Sequence, residues 1–126
     1  MDSLNRDAIL AANDVKVERV EVPEWGGHVF VRLLSGTERD AFEQSNVKIK
    51  GKQSEVNLTN IRARLAVLCV CDETGARLFK DADATALGAK SGAVLDRIFD
   101  AASALNKIGK AQQEQAEGNS EPAQSE

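Results

Sequence analysis

A chain of 126 residues with 42% hydrophobic content has enough material for one buried core, which predicts a single domain followed by a polar tail. Its 20 acidic side chains outnumber 16 basic ones, and the formal charge of -4 repels a phosphate backbone unless the cations gather on one face, so nucleic acid is not an expected partner. The longest apolar run, Leu65 to Cys71, is too short to span a bilayer, which excludes a membrane-spanning role.

In chain order, the segment from Asp2 to Ala12 predicts a short helix capped by Asp2 or Ser3, with Leu4, Ala8 and Ala11 on one side and Ile9 and Leu10 beside them. From Val15 the period changes to two. Val15 and Val17 share one phase and Val20 and Val22 the other, predicting a strand with a bulge or shift near Glu18-Arg19. A second strand places Val29, Val31 and Leu33 on one face and His28, Phe30, Arg32 and Leu34 on the other. Pro23 stops the first strand and Gly26-Gly27 free the backbone for the return, giving a hairpin with a loop of about five residues. Trp25, at the hairpin tip, either folds back over the sheet or stands out as an aromatic anchor for a partner. His28 has no nucleophile or acidic orienter recognisable near it, so a surface or hydrogen-bonded histidine is the expectation, not a base.

Ser35-Gly36-Thr37-Glu38 fits a capping box, opening a helix through Phe42 to about Val47. Lys48, Lys50 and Lys52, with Gly51 and Gln53, read as a solvated loop and make too small a basic patch for nucleic acid. Asn57 or Thr59 then caps a helix with Leu58, Ile61, Leu65 and Leu68 on one side and Arg62 and Arg64 on the wet side. Beyond Leu65 the pattern is apolar all round, so this helix enters the centre of the domain. Val67 to Cys71 also fits a buried strand, but length favours helix. Cys69 and Cys71 are too closely spaced for an ordinary mutual disulfide and lack partners for a four-ligand metal site, which leaves buried structural thiols.

Asp72-Glu73-Thr74-Gly75 predicts a turn, and Ala76 to Phe79 a short extended piece that pairs with the hairpin or crosses it. Asp81 or Asp83 caps a short helix ending near Gly88. Ser91 caps the last one, in which Val94, Leu95, Ile98, Phe99, Ala102, Leu105 and Ile108 form a continuous stripe before Gly109. Such a stripe is either core or the surface that an apolar client helix meets. From Lys110 onward no apolar residue is larger than alanine, so residues 110–126 are expected to be a disordered acidic tail on a domain of residues 1–109. The fold class is α+β: an N-terminal helix, a β-hairpin, then a bundle of about four helices.

Catalytic constellations are missing. There is no Gly-rich phosphate cradle, no Gly-x-Ser-x-Gly elbow and no tyrosine, while Asp72-Glu73 and Asp81-x-Asp83 fall in turns and caps and lack the pattern of a calcium loop. No catalytic, cofactor or metal-binding residue is therefore expected, and the chain reads as a binding protein, not an enzyme. Free thiols and the lack of an apolar leader after Met1 lead us to expect a reducing cytoplasm.

Val22-Pro23-Glu24-Trp25-Gly26-Gly27, then Val31-Arg32 and Gly36-Thr37-Glu38-Arg39-Asp40, resemble the tail assembly chaperones of long-tailed bacteriophages and prophages. Asp72-Glu73-Thr74-Gly75 with Leu78-Phe79, Lys90-Ser91, and Leu95 to Ala102 ending in Leu105-Asn106 look like the rest of that pattern, over roughly residues 4 to 108. The resemblance implies a small α+β protein of the host cytoplasm. It would bind the tape measure protein, keep it soluble while tail tube subunits polymerise around it, and then leave, so that it is not expected in the mature virion. It further implies contact with the tail tube protein through a longer, frameshifted product, and a homo-oligomer is a reasonable expectation for many copies on one elongated client. The expected contact residues are Trp25 and, on the final helix, Phe99, Leu105 and Ile108. The alternative is a structural virion component, such as a tail terminator or head-tail connector. A small enzyme or ligand-binding domain is disfavoured by the missing constellation.

Overall fold

The structure, a computed structural model, describes residues 2–108. Helix α1 (Arg6–Ala11) starts one turn later than the cap residues Asp2 and Ser3 predict, because the Asn5 side chain accepts the Ala8 N–H at 2.8 Å. None of its residues is buried. Strands β1 (Val17–Val22) and β2 (Gly27–Arg32) form an antiparallel ladder from Val17↔Arg32 to Val22↔Gly27. That ladder is unbroken, so the predicted bulge at Glu18-Arg19 does not exist. The change of phase arises because Val20 and Val22 face the core with Val29 and Val31, while Val17 lies on the opposite face. The loop is a single 3-10 turn, Pro23–Trp25, closed by Gly26 in the left-handed region at φ 81°, which a Cβ would strain.

Helix α2 (Gly36–Ser45) opens on the predicted capping box, with Glu38 N–H donating to Ser35 Oγ at 3.1 Å and Ser35 N–H to Glu38 Oε1 at 3.0 Å. The lysine segment is not a loop. It forms a second hairpin, β3 (Val47–Lys50) and β4 (Gln53–Val56), turning at Gly51 with φ 62°. Helix α3 (Ile61–Cys69) begins at Asn60, itself left-handed at φ 54°, and neither Asn57 nor Thr59 caps it. Leu58 lies outside that helix and is exposed.

Arg64 departs from the wet face assigned to it. Its guanidinium donates to the carbonyls of Thr59 and Asn57 (both 2.8 Å), to Ser45 Oγ (2.5 Å) and to Asn46 Oδ1 (2.8 Å), tying the start of α3 to the end of α2. Arg62 does stay exposed and pairs with Asp96. After Cys69 the chain becomes strand β5 (Val70–Cys71), which pairs antiparallel with β2 through Phe30↔Cys71 and Val31↔Val70. The apolar run is thus helix first and strand last, because its final residues meet the free edge of β2 and satisfy their backbone groups there. The sheet order is β1-β2-β5, and the extended piece after the turn bridges back from Arg77 to Cys71 and not to β1 or β2.

A 3-10 turn (Asp81–Asp83) leads into α4 (Ala84–Gly88), and α5 (Gly92–Asn106) follows, with Ser91 accepting the Val94 N–H at 3.4 Å. Helices α3 and α5 pack on each other and on the sheet, and α4 packs on α3. Between them lie Val20, Val22, Val31, Phe42, Leu65, Val94, Leu95 and Ile98. Residues 109–126 lie outside the described residues, and the tail expected over 110–126 falls wholly within that stretch.

Both thiols are buried. Burial pushes the Cys69 thiol up to about 12 and raises that of Cys71 as well, so neither supplies thiolate near neutral pH. The native protein is expected to leave both sulfurs unmodified by a disulfide reagent over minutes, and the denatured chain to titrate both at once. Rapid labelling of the native protein would contradict this burial.

Candidate functional site

The hairpin turn, the extended segment after β5, and α4 enclose an open groove of about 400 Å³ lined by Trp25, Phe79, Asp83, Ala86, Leu87 and Lys90. Its floor is apolar and its two charged residues, Asp83 and Lys90, have opposite signs. Trp25 is 41% exposed, so it neither folds wholly over the sheet nor stands free of the domain. Local sequence fixes its place: Pro23 starts the 3-10 turn and Gly26 ends it.

A fork of hydrogen bonds then ties that turn to α5. Arg97 donates to Glu24 Oε1 at 2.8 Å and to Oε2 at 2.7 Å, and also to the Glu21 carbonyl at 3.2 Å. Those bonds, with Glu24's own backbone amide, hold its carboxyl down at about 2, against an ordinary value of 4.5. A depressed carboxyl contributes stability that is complete above the ordinary value and is lost as pH falls through the folded one. The clasp's contribution to stability is therefore expected to fade as pH falls from 4.5 to about 2, with Glu24 in the folded protein titrating at the lower end, and an NMR titration of its side chain checks it. Arg97→Ala should return its midpoint towards 4.5, whereas an unchanged midpoint would refute the clasp.

Of the four residues expected to meet a partner, the structure brings only Trp25 to this groove. Ile108 is 4% exposed and belongs to the core, while Phe99 and Leu105 are partly buried and packed against it. The stripe on α5 faces α3 and the sheet, which is the structural reading of such a stripe. Phe79, Ala86, Leu87 and Lys90 were not predicted. Each belongs to a segment too short to show a period, so only the fold puts them beside Trp25.

Residues 4–119 match the family model of the phage tail assembly chaperones. The chain belongs to that family. In three dimensions it is similar to the solved tail assembly chaperone of bacteriophage HK97, with a TM-score of 0.56 and 21% sequence identity over 79% of this chain and 94% of that one. That likeness is one of fold. No curated protein matches the sequence. Within this chaperone fold, His28 is exposed and meets Phe30 edge-on at 5.3 Å. Among the described residues, no group of three or more His, Cys, Asp or Glu side chains is placed to hold a metal, and no helix is long and apolar enough to cross a membrane.

The chaperone fold leaves further apolar surface bare. Leu4, Ile9, Leu10 and Val15 are exposed around α1, and Val47, Ile49 and Val56 are exposed on the second hairpin. Exposed apolar residues in such groups mark interaction surfaces. What the site can do is hold apolar side chains of another chain away from water.

Proposed function

We propose that this protein binds the tape measure protein of a long-tailed phage in the host cytoplasm and keeps that client soluble. The tail tube then polymerises around the client, and the chaperone leaves. The observation that carries the reading is the Trp25 groove, an apolar floor between Asp83 and Lys90 on a chain of the tail assembly chaperone family. A client rich in apolar helix loses unfavourable contact with water when its side chains enter such grooves. The formal charge of -4 keeps a coated client dispersed. No bond is made or broken in this role. Contact with the tail tube protein, through a longer product of the same gene, and self-association along the client complete the proposal.

Co-expression with the neighbouring tape measure protein tests it. The client should become soluble and co-purify with this chain, and mass spectrometry of purified virions should find the tape measure protein without the chaperone. A client that stays insoluble, or a chaperone present in the particle at the level of a structural subunit, would refute the reading in favour of a fixed virion component.

A further inference from the structure

The side of α4 that faces the Trp25 groove carries a pattern of its own. Asp83, Ala86, Leu87 and Lys90 line the groove, and they follow the i, i+3, i+4, i+7 spacing of one helical face. The backbone extends that face beyond both ends of the helix. Asp83 is already right-handed at φ -78° and ψ -6°, and the Lys90 N–H donates to the Leu87 carbonyl at 3.0 Å. Asp83 and Lys90 therefore stand two turns apart, roughly 10 Å along the axis at about 1.5 Å per residue. Between them Ala86 is small and exposed and Leu87 is buried, while Trp25 and Phe79 complete the lining from other segments.

Asp83 and Lys90 are also the charges left without a counterpart at this site. Glu24, beside Trp25, is held by Arg97, and Asp81 is held by Arg77 at 2.9 Å. Among the described residues neither Asp83 nor Lys90 takes part in an ion pair. Asp83 accepts the Lys80 N–H at 2.8 Å through Oδ2, which leaves its other oxygen for a partner.

An apolar floor with one charge of each sign at its ends complements an amphipathic helix. The apolar residues of such a helix enter over Ala86, and its own two charges, opposite in sign and two turns apart, meet Asp83 and Lys90. A second copy of α4 carries such charges too, but it is packed on α3 and itself lines a concavity, so two grooves cannot fill one another. Direction follows from charge. A helix with its acid first and its base two turns later matches both ends only when it runs antiparallel to α4, and a base-first helix only when it runs parallel. The wrong direction sets like charges together at both ends. We propose that Asp83 and Lys90 make this groove directional: it takes a helical segment bearing an acidic and a basic residue two turns apart around an apolar pair, and the order of those charges sets which way the bound segment runs. The proposal rests on the reading that the groove receives apolar helix of the client, and adds the direction of that helix. Each exposed ion pair contributes little alone, but reversal exchanges two attractions for two repulsions, which amounts to about a tenfold preference.

The test uses synthetic, tryptophan-free helical peptides of about 20 residues and the full chain. The apolar pair is flanked by Glu then Lys in one peptide, by Lys then Glu in another and by two Lys in a third, with a nitroxide one turn beyond the second charge. Trp25 emission reports binding, and broadening of backbone amide NMR signals reports direction. The Glu-first peptide should broaden signals around Asp83, the Lys-first peptide signals around Lys90, and the two-Lys peptide should bind about threefold more weakly than either. Lys90→Glu should make the two-Lys peptide the tightest of the three. Asp83→Asn combined with Lys90→Gln should bind all three without direction, since the asparagine keeps an oxygen acceptor for the Lys80 N–H and the turn before α4 stays intact. Binding of the Glu-first and Lys-first peptides with one and the same broadening pattern would overturn the proposal while leaving the groove as an apolar site. Peptides that leave Trp25 emission unchanged would overturn the underlying reading and the proposal with it. A shift of that emission caused by protein concentration alone would give the groove to a second copy and overturn the proposal as well.

Discussion

Replacing Asn106 with alanine is expected to destabilise the fold by about 3 kcal/mol and to lower the melting temperature by about 15 °C. Asn106 is buried at the C-terminal end of α5, and its side chain ties that helix to the end of β2. Its Oδ1 accepts the Leu34 N–H at 2.8 Å, and its Nδ2 donates to the Ala102 carbonyl at 2.9 Å and the Arg32 carbonyl at 3.2 Å. Its own carbonyl accepts Arg39 of α2 at 2.8 Å. Truncation strands the Leu34 amide and the Arg32 carbonyl in a part-buried position, and each stranded group costs about 1–3 kcal/mol. The contrast is Ser103→Ala. Ser103 is also buried on α5, but its hydroxyl has no hydrogen-bond partner, so removing it should be neutral or slightly stabilising. Thermal melts of the two variants decide the point: equal effects would show that burial, not the Asn106 bonds, governs this end of the helix.

The second large effect concerns the groove. Trp25→Ala should weaken binding of a tape measure segment by about 30-fold, the loss of roughly 2 kcal/mol that an aromatic anchor carries. Ala86→Arg approaches the same surface from α4. Ala86 is exposed and lines the groove, so a long side chain there fills the space without disturbing the core or the helix. Both variants should lose the client in pull-down while keeping the wild-type melting temperature. Retained binding by both would move the client site elsewhere, with the bare faces of α1 and the second hairpin as the remaining apolar surfaces.

Where local signals agreed with one another, the fold could be read directly. The capping box at Ser35 and Glu38, the turn at Asp72 to Gly75, the alternation of β2 and the stripe of α5 each combine a period with a stop or start residue. The second hairpin carried the same kind of signal, with Val47 and Ile49 alternating with Lys48 and Lys50 ahead of Gly51, but its charge made it read as a loop. Its apolar residues are not covered by the rest of the domain, so burial could not have revealed it either. Strand β5 is two residues long and exists only because β2 offers an edge, which no local pattern encodes. Arg64 was assigned to water on helical spacing. The spacing was right, but α2 and the residues before α3 supply four oxygen acceptors on that side.

The site was legible only at Trp25. An aromatic between Pro23 and two glycines signals an anchored turn, and the structure puts it at the rim of an apolar groove. Phe79, Ala86 and Leu87 come from other segments, and their meeting with Trp25 depends on how α4 packs on α3. The Arg97 clasp on Glu24 spans most of the chain and had no local sign.

Because Trp25 is the only tryptophan in the chain, its fluorescence reports this groove alone. Titrating the purified protein with a tryptophan-free, apolar helical segment of the tape measure protein should shift the emission of Trp25 to shorter wavelength in a saturable way, and Ala86→Arg should abolish the shift. Emission that stays constant while the segment demonstrably binds, or a segment that does not bind at all, would contradict the claim that the groove shelters the client.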